Sequence, residues 1–337
     1  MKADKYILIR RYISENPYVG NSKIPMPNLK LARIIYKENP LSFKDIDNVR
    51  SLIRMVKGKH GEAAKRHVAD KSLFNTEAGV KNPYNLPPSD EEEFKPYVIK
   101  GHTKGLVIND LHIPYHSIEA LTATIKFGIK YKPDFIFVNG DLIDSHQLSH
   151  FLRDPKKKHF AEELKIASDF LHTLKKTFKC KIYFKFGNHE RRYDNFLFQK
   201  AKELVGVEEF ELEHIFKIRV PDIEIIKDKR VVVIAGLPFV HGDEFGRGVF
   251  SPVNAARGLF LQAKHSCVKA DCHTTSEHNE PNIFRKLMTT YSVGSLCGLT
   301  PQWLPLNKWN HGFATIDCLS PSTYNFRNYR IQDGIIL

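Results

Sequence analysis

Long hydrophobic runs and paired cysteines are both missing from this 337-residue chain. No run of about eighteen apolar residues occurs, so we expect no membrane-spanning helix and no membrane partner. Residues 1–5 do not begin an apolar signal core, which favours a cytoplasmic protein. The five cysteines are odd in number and show no Cys-x-x-Cys spacing, so they predict reduced thiols and no structural zinc site.

The charge of the chain is strongly positive and unevenly distributed. Lysine and arginine number 51 against 38 aspartates and glutamates, for a formal net charge of +13. Residues 1–70 hold 15 Lys/Arg and 7 Asp/Glu, so about a fifth of the chain carries a net +8. Because nucleic acid is a dense array of negative charge, a basic module of this kind predicts a nucleic-acid partner.

Three amphipathic helices are predicted within this basic segment, over residues 5–14, 27–36 and 43–56. The third helix places Arg50 and Arg54 on one exposed stripe that continues to Lys57. Short helices joined by tight turns, the last of them basic, are typical of a helix-turn-helix unit whose cations contact phosphates. The alternative is an ordinary solvated helix face that binds nothing.

A linker is predicted between the basic segment and the rest of the chain. Residues 82–93 combine three prolines with an acidic run and show no apolar periodicity. We therefore expect a helical, nucleic-acid-binding domain over residues 1–70, a linker over 71–103 and a large domain over 104–337. The oligomeric state is not indicated by the sequence.

Four polar clusters follow apolar runs in the large domain. The runs, over 105–109, 135–138, 181–186 and 231–240, predict buried strands. The clusters contain Asp110 and His112, Asp141 and Asp144, Asn188 to Glu190, and His241. Open α/β sheets build their sites where strands end, and carboxylates, imidazoles and an amide oxygen at one edge suit a pair of divalent cations. Water held between such cations is acidic enough to attack phosphorus, so the pattern predicts a two-metal phosphoesterase.

Helices and strands alternate through the large domain. Amphipathic helices are predicted over 117–131 and 160–178, where they would cover a sheet, and a further helix lies between Pro252 and Leu261. Alternating segments over 287–293, 313–318 and 324–331 predict a second sheet. The fold class expected from this order is α/β.

The order of the clusters resembles that of the calcineurin-like metallophosphoesterase superfamily. The matching motifs are Asp-x-His at 110–112, Gly-Asp-x-x-Asp at 140–144, Gly-Asn-His-Glu at 187–190 and the downstream His241. Residues 31–36 and 53–58 also resemble leading segments of phage and prophage members. The resemblance implies a four-layer αββα sandwich with metals at one edge, carrying a small basic helical domain and acting in a bacterial or phage-infected cell.

The resemblance also implies a role for each matched residue. The implied metal ligands are Asp141, which bridges both ions, Asp110 and His112 at the first ion, and Asn188 and His241 at the second. His189 would stand beside the phosphate without binding metal, and would stabilise its charge or protonate the leaving oxygen while metal-activated hydroxide attacks phosphorus. Asp144 either holds a ligand histidine by a hydrogen bond or caps a following helix.

The fifth motif departs from the family pattern of Gly-His-x-His. If His273 matches the first histidine, Thr275 replaces the second; if His273 matches the second, Asp271 replaces the first. We favour Asp271 and His273 as ligands, because aspartate binds hard cations and threonine binds them poorly. An oxygen-rich site of this kind favours Mn²⁺, with Mg²⁺, iron or Zn²⁺ as alternatives. A degenerate motif with one weakly held metal is the other interpretation.

The substrate is indicated less directly. Protein phosphatases of the superfamily usually carry Arg-Gly where Ser145 and His146 stand, so a protein substrate is disfavoured. Arg191 and Arg192 are candidate phosphate-binding residues, or two exposed cations that open a helix. We expect a metal-dependent phosphodiesterase, a DNA nuclease in first place. The alternatives are a phosphomonoesterase or a nucleotide or protein phosphatase whose N-terminal module docks a partner, and a non-catalytic binding protein.

Overall fold

The structure is a computed structural model that describes residues 2–16, 26–57, 87, 94–150, 154, 156–245 and 254–337. The chain divides into two compact units, Met1–Glu91 and Glu92–Leu337. Most of the predicted linker sequence, residues 82–86 and 88–93, lies outside the described residues. Within the described ranges, no helix has both the length and the apolar character needed to cross a membrane.

The first unit has three α-helices in its described residues: α1 (Lys2–Glu15), α2 (Asn28–Glu38) and α3 (Ile46–Val56). The side chain of Asp45 accepts a hydrogen bond from the amide of Asn48 and so caps the start of α3. One small core joins the helices, and it includes Ile9 from α1, Leu31 and Ile35 from α2, and Val49 and Ile53 from α3. All three predicted helices are present, because apolar residues at helical spacing need a shared core.

The second unit contains two sheets. The strands are β1 (Tyr97–Ile99), β2 (Lys104–Ile108), β3 (Phe135–Asn139), β4 (Lys181–Lys185), β5 (Ile223–Ile226), β6 (Val232–Ile234), β7 (Leu237–Phe239), β8 (Cys267–Lys269), β9 (Ser276–Pro281), β10 (Leu287–Ser292), β11 (His311–Ser320), β12 (Thr323–Gln332) and β13 (Ile335–Ile336). The seven-stranded sheet has the order β13-β12-β11-β2-β3-β4-β5, in which β2 to β5 run parallel. The six-stranded sheet has the order β1-β6-β7-β8-β10-β9.

The described part of the second unit has five α-helices: α4 (Ile118–Tyr131), α5 (Phe160–Phe178), α6 (Arg191–Lys200), α7 (Leu212–Arg219) and α8 (Ala255–Ala263). Helices α4 to α7 pack on the outer face of the seven-stranded sheet, and α8 packs on the outer face of the six-stranded sheet. The layers therefore follow the predicted order αββα.

The central strands are buried on both faces. In β2, Leu106 and Ile108 face the helices, while Val107 between them faces the other sheet. In β3, Ile136 likewise faces the helices and Phe137 faces the other sheet. Because successive side chains of a strand point to opposite faces, such strands read as continuous apolar runs.

Three predictions of local structure differ from the observed fold. Residues 231–240 form two antiparallel strands rather than one, because Ala235 and Gly236 both adopt left-handed backbone and turn the chain between β6 and β7. Residues 97–99, within the range assigned to the linker, form β1 and pair with β6. Strands β11 and β12 join the first sheet and only β10 joins the second, because alternation does not specify the partner strand.

Candidate metal centre

The polar residues predicted to form a site lie in the loops that follow five strands. They are Asp110 and His112 after β2, Asp141 and Asp144 after β3, Asn188 and His189 after β4, His241 after β7, and Asp271 and His273 after β8. Strands β2, β3 and β4 are parallel, so their carboxyl ends share one edge of the first sheet. Strands β7 and β8 are likewise parallel in the second sheet, and their loops meet the first three.

The backbone of the predicted ligands is strained. Five of them have left-handed φ angles between 48° and 61°, namely Asp110, His112, Asp141, Asp271 and His273. This region is disfavoured for residues with a Cβ atom and costs on the order of 1–3 kcal/mol each. Such strain persists at functional sites, where the surrounding structure holds each side chain in one direction.

Two glycines allow the loops to approach closely. A Cβ atom on Gly140 would lie 2.2 Å from His241 Nδ1, and one on Gly187 would lie 2.2 Å from Asp141 Oδ1. No real Cβ tolerates such distances, so a side chain at either position would displace a predicted ligand. The glycines of the second and third motifs are therefore required by packing at the site.

Asp141 lies at the centre of the cluster. Its Oδ2 atom is 3.2 Å from His241 Nε2, 3.7 Å from His112 Nε2 and 3.8 Å from His189 Nε2. Burial opposes its ionisation, but the His241 imidazole beside it holds the pKa of Asp141 well below its usual range. Among the described residues, Asp141 takes part both in a group with Asp110 and His112 and in a group with His241 and Asp271, each able to hold a metal ion.

The first group has an unsatisfied carboxylate oxygen. Asp110 Oδ2 accepts hydrogen bonds from Asn109 Nδ2 at 2.6 Å and from the amide of Asp271 at 3.1 Å. Asp110 Oδ1 is buried without a hydrogen-bond partner among the described residues, although His273 Nε2 lies 3.4 Å away. His112 Nε2 faces His273 Nε2 at 3.2 Å. A buried carboxylate oxygen without a partner is costly, and a cation between this oxygen and the two ring nitrogens would satisfy it.

The second group combines different ligand types. His241 Nε2 lies 3.0 Å from Asn188 Oδ1 and 3.9 Å from Asp271 Oδ1. Burial and the charges of Asp141 and Asp110 raise the pKa of Asp271 above its ordinary value. Bound cations would relieve this crowding of negative charge. The structure thus brings Asp271 to the second group and His273 to the first, as in the favoured register of the fifth motif.

Contacts outside the cluster orient the imidazoles. His241 Nδ1 donates to the carbonyl oxygen of Asn139 at 2.9 Å, and His112 Nδ1 lies 3.1 Å from Asp144 Oδ1. With Nδ1 engaged, each ring turns its Nε2 atom toward the site, as metal-binding histidines do. Asp144 therefore holds His112 by a hydrogen bond, and the next α-helix, α5, begins sixteen residues later at Phe160.

His189 and Arg192 form a pair at the edge of the cluster. His189 Nδ1 donates to the carbonyl oxygen of Asp144 at 2.8 Å, and Arg192 Nη2 donates to His189 Nε2 at 3.0 Å. Because a carbonyl oxygen only accepts and a guanidinium only donates, these contacts describe a neutral ring with its proton on Nδ1. Arg191 instead pairs with Asp243 and donates to the Phe186 carbonyl oxygen, so the structure does not bring both arginines to one phosphate position.

Sequence reasoning gave no role to Glu190. This buried carboxylate accepts hydrogen bonds from the amides of Asp141 at 3.0 Å, Ile143 at 3.1 Å and Gly187 at 2.7 Å, and so ties two loops together. Burial and the charge of Asp141 raise the pKa of Glu190 to about 7. The motif contained the residue, but its backbone partners depend on how the loops meet.

A buried ion pair was also missed. Lys185 is fully buried at the end of β4, and its Nζ atom lies 2.8 Å from Glu244 Oε1. Glu244 in turn accepts from the amides of His241 at 2.9 Å and Gly242 at 2.8 Å, which fixes the loop that carries the predicted ligand. The signal in the sequence was a lysine inside an otherwise apolar run, because buried lysines are almost always paired.

The basic residues predicted to contact nucleic acid lie on α3 or directly after it. Arg54 is exposed, and Arg50 is partly exposed with its Nη1 atom 3.9 Å from Asp47 Oδ1. Lys57 donates to Asn28 Oδ1 at 2.9 Å, so its ammonium group joins the ends of α3 and α2. Of the three, Arg54 is the most accessible to a ligand.

Comparison with known proteins gives one family. The family model described as calcineurin-like phosphoesterase matches residues 104–294. The chain is similar to the gene 54 protein of Mycobacterium phage L5, with 24% identity over 226 residues that cover 63% of this chain and 87% of that protein.

Solved structures of low sequence identity are also similar. Vacuolar protein sorting 29 from Cryptosporidium parvum is 15% identical with a TM-score of 0.40, and the match covers 70% of this chain and 95% of that one. A dimetal phosphatase from Danio rerio is 11% identical with a TM-score of 0.36, and the match covers 68% of this chain and 96% of that one.

Proposed function

Since the chain belongs to the calcineurin-like phosphoesterase family, a family of metal-dependent hydrolases that use a dimetal centre, we propose that its substrate is the phosphodiester backbone of nucleic acid, and DNA in first place. The observation that carries this proposal is the position of the positive charge. Residues 1–70 hold a net +8, and they belong to the unit Met1–Glu91, which is distinct from the catalytic unit. A unit that neutralises phosphates raises the local concentration of a polyanionic substrate at the site.

The residues of the cluster fit two divalent ions. Asp110, His112 and His273 would hold the first ion, Asn188, His241 and Asp271 the second, and Asp141 would bridge them. The fit rests on the unsatisfied Oδ1 of Asp110 and on the Nε2 atoms that converge beside Asp141. When bound, such ions lower the pKa of water and polarise the phosphoryl group. Three carboxylates and an amide oxygen make the set rich in oxygen, which favours Mn²⁺ or Mg²⁺.

His189 and Arg192 would act on the substrate. The Asp144 carbonyl oxygen fixes the proton of His189 on Nδ1 and so directs Nε2 toward the cluster. Arg192, now donating to that Nε2 atom, is placed to exchange this contact for a phosphate oxygen, a stronger acceptor. His189 then stabilises charge on the phosphate or, once protonated at Nε2, protonates the leaving oxygen.

A comparison of three substrates tests the proposal. With Mn²⁺ present, the full chain is assayed on bis-para-nitrophenyl phosphate, on para-nitrophenyl phosphate and on end-labelled DNA. We expect hydrolysis of the diester and of DNA, and slower hydrolysis of the monoester. Asp141→Asn serves as the control for a contaminating enzyme. Efficient hydrolysis of the monoester with no cleavage of DNA would contradict the proposal and favour a phosphomonoesterase whose N-terminal unit docks another partner.

A further inference from the structure

Two tryptophans lead outward from the candidate metal centre. They are the only tryptophans of the chain, and both lie between β10 and β11. The Trp309 ring packs on the His273 ring with centroids 4.2 Å apart, and the Trp303 ring packs on Trp309 at 5.7 Å. Trp303 is 74% exposed. Trp303 therefore offers a large aromatic face to solvent, and Trp309 connects it to the predicted metal ligand His273.

The segment that carries these rings is held by its own hydrogen bonds. The Asn307 side chain donates to the carbonyl oxygens of Leu299 at 2.7 Å and Leu304 at 2.9 Å, and accepts from the amide of Trp309 at 2.9 Å. The amide of Asn310 donates to the His273 carbonyl oxygen at 2.9 Å, which ties the segment to the metal loop. These hydrogen bonds restrain the backbone beside the rings, which lowers the conformational entropy lost on binding.

Cations flank the same edge of the site. The amide of Gly298 donates to the Tyr115 carbonyl oxygen at 2.7 Å, which joins the tryptophan segment to the loop after β2. Lys157 Nζ lies over the Tyr115 ring at 4.9 Å, and Lys156 and Lys158 beside it are exposed. Aromatic faces next to lysines, near a centre that hydrolyses phosphate esters, match the way proteins bind single-stranded nucleic acid.

We propose that Trp303 is a stacking surface for an unpaired base next to the phosphate that is hydrolysed, so the substrate class is single-stranded nucleic acid. This inference rests on the proposed function. In a duplex the faces of the bases are covered by their neighbours, so only an unpaired base offers its face to the exposed ring. The lysines beside Tyr115 contact the backbone of the same strand, and Trp309 supports Trp303 from below.

Tryptophan fluorescence tests the binding step without hydrolysis. Trp309→Phe leaves Trp303 as the only tryptophan, and this full-length variant is titrated in chelator with three oligonucleotides: single-stranded, the same length with abasic sites, and a blunt hairpin. We expect quenching by the single strand and little change with the other two, although all three carry the same kind of phosphate. Equal quenching by the abasic strand would contradict base stacking.

Hydrolysis tests the consequence for catalysis. Base stacking corresponds to roughly 5- to 150-fold for one base, so the intact chain should cleave the base-containing strand faster than the abasic one by a factor in this range. Trp303→Ala should reduce that ratio toward one, and Trp303→Phe should retain most of it. Leu306→Ala is the matched control, because Leu306 is 91% exposed on the same segment and offers no ring.

The outcomes separate this inference from the proposed function. Cleavage of DNA with the same ratio in Trp303→Ala as in the intact chain overturns the stacking surface and leaves the nuclease proposal standing. Quenching by the single strand without cleavage of any nucleic acid overturns the nuclease proposal, and with it the position next to a hydrolysed phosphate, and leaves only the stacking of an unpaired base on Trp303.

Discussion

Replacement of His189 by alanine separates catalysis from metal binding. Its Nδ1 atom is committed to the Asp144 carbonyl oxygen at 2.8 Å, and its Nε2 atom, 3.8 Å from Asp141 Oδ2, faces the cluster without belonging to the proposed ligand set. We therefore expect His189→Ala to bind the full complement of metal and to lose rate. Loss of a general acid or of a charge-stabilising imidazole costs about 10²–10⁴ in rate, or roughly 3–5 kcal/mol of barrier.

Substrates with different leaving groups distinguish the two roles proposed for His189, protonation of the leaving oxygen and stabilisation of charge on the phosphate. A para-nitrophenolate leaves without a proton, whereas the alkoxide released from DNA needs one. If His189 protonates the leaving oxygen, the rate loss in His189→Ala should be larger for DNA than for bis-para-nitrophenyl phosphate. If it stabilises charge on the phosphate, both substrates should lose about the same factor.

The assay pairs initial rates on both substrates with the metal content of the dialysed protein. His172→Ala is the control for removal of an imidazole, since His172 is exposed and bonded to the Arg219 carbonyl oxygen. A fall in metal content in His189→Ala would show that His189 is a ligand, and an unchanged rate on both substrates would refute its catalytic role.

Three further predictions concern the proposed metal ligands, a buried acid and the basic unit. Asp141→Asn should abolish activity and lower the occupancy of both metals, whereas Asn188→Ala should chiefly lower the occupancy of one, as measured by metal analysis. Undiminished hydrolysis in excess chelator would rule out two-metal chemistry. Burial and the charge of Asp144 raise the pKa of Glu163 to about 8. The folded state therefore favours the neutral acid. The stability that this group contributes is complete below its ordinary pKa near 4.5 and is lost as the pH rises through about 8. The glutamine in Glu163→Gln stays neutral at every pH. Between about pH 5 and about pH 9 this variant should therefore lose roughly 2–4 kcal/mol less unfolding free energy than the intact chain, as measured by urea titrations. Parallel plots of unfolding free energy against pH for the two proteins would contradict the raised pKa. If Arg54 neutralises one phosphate, Arg54→Ala should reduce the slope of log affinity against log salt on duplex DNA by about 0.9, and an unchanged slope would favour the solvated-face interpretation of α3.

The sequence was sufficient for features that are written locally. Each apolar run followed by a polar motif marks a strand and the loop after it, because both faces of a central strand are buried while its end reaches an edge. Asp110, Asp141 and Asn188 were placed at the ends of β2, β3 and β4 on this ground, and the structure brings them together. The helices of the N-terminal unit follow from apolar spacing in the same way.

Other features depend on contacts between distant segments. Pairing of β11 with β2 rather than with the second sheet, and the turn at Ala235 and Gly236, are decided by which surfaces meet in the folded chain. The sequence left two registers at Asp271 and His273, and ligand chemistry alone favoured the one in which aspartate replaces a histidine. The folded loops bring Asp271 to His241, and they bring His273 to Asp110 and His112.

The residues that organise the site show the same division. The sequence by itself determined which side chains carry metal-binding chemistry and where strands would deliver them, because a strand and its terminal loop are encoded within a few residues. Only the tertiary structure decided that Glu190 accepts three amides from two loops, and that Lys185 and Glu244 fix the loop of His241. A buried charge is stable only with partners. The partners of Glu190 come from neighbouring loops of the seven-stranded sheet, whereas Lys185 and Glu244 meet only when the two sheets close on each other.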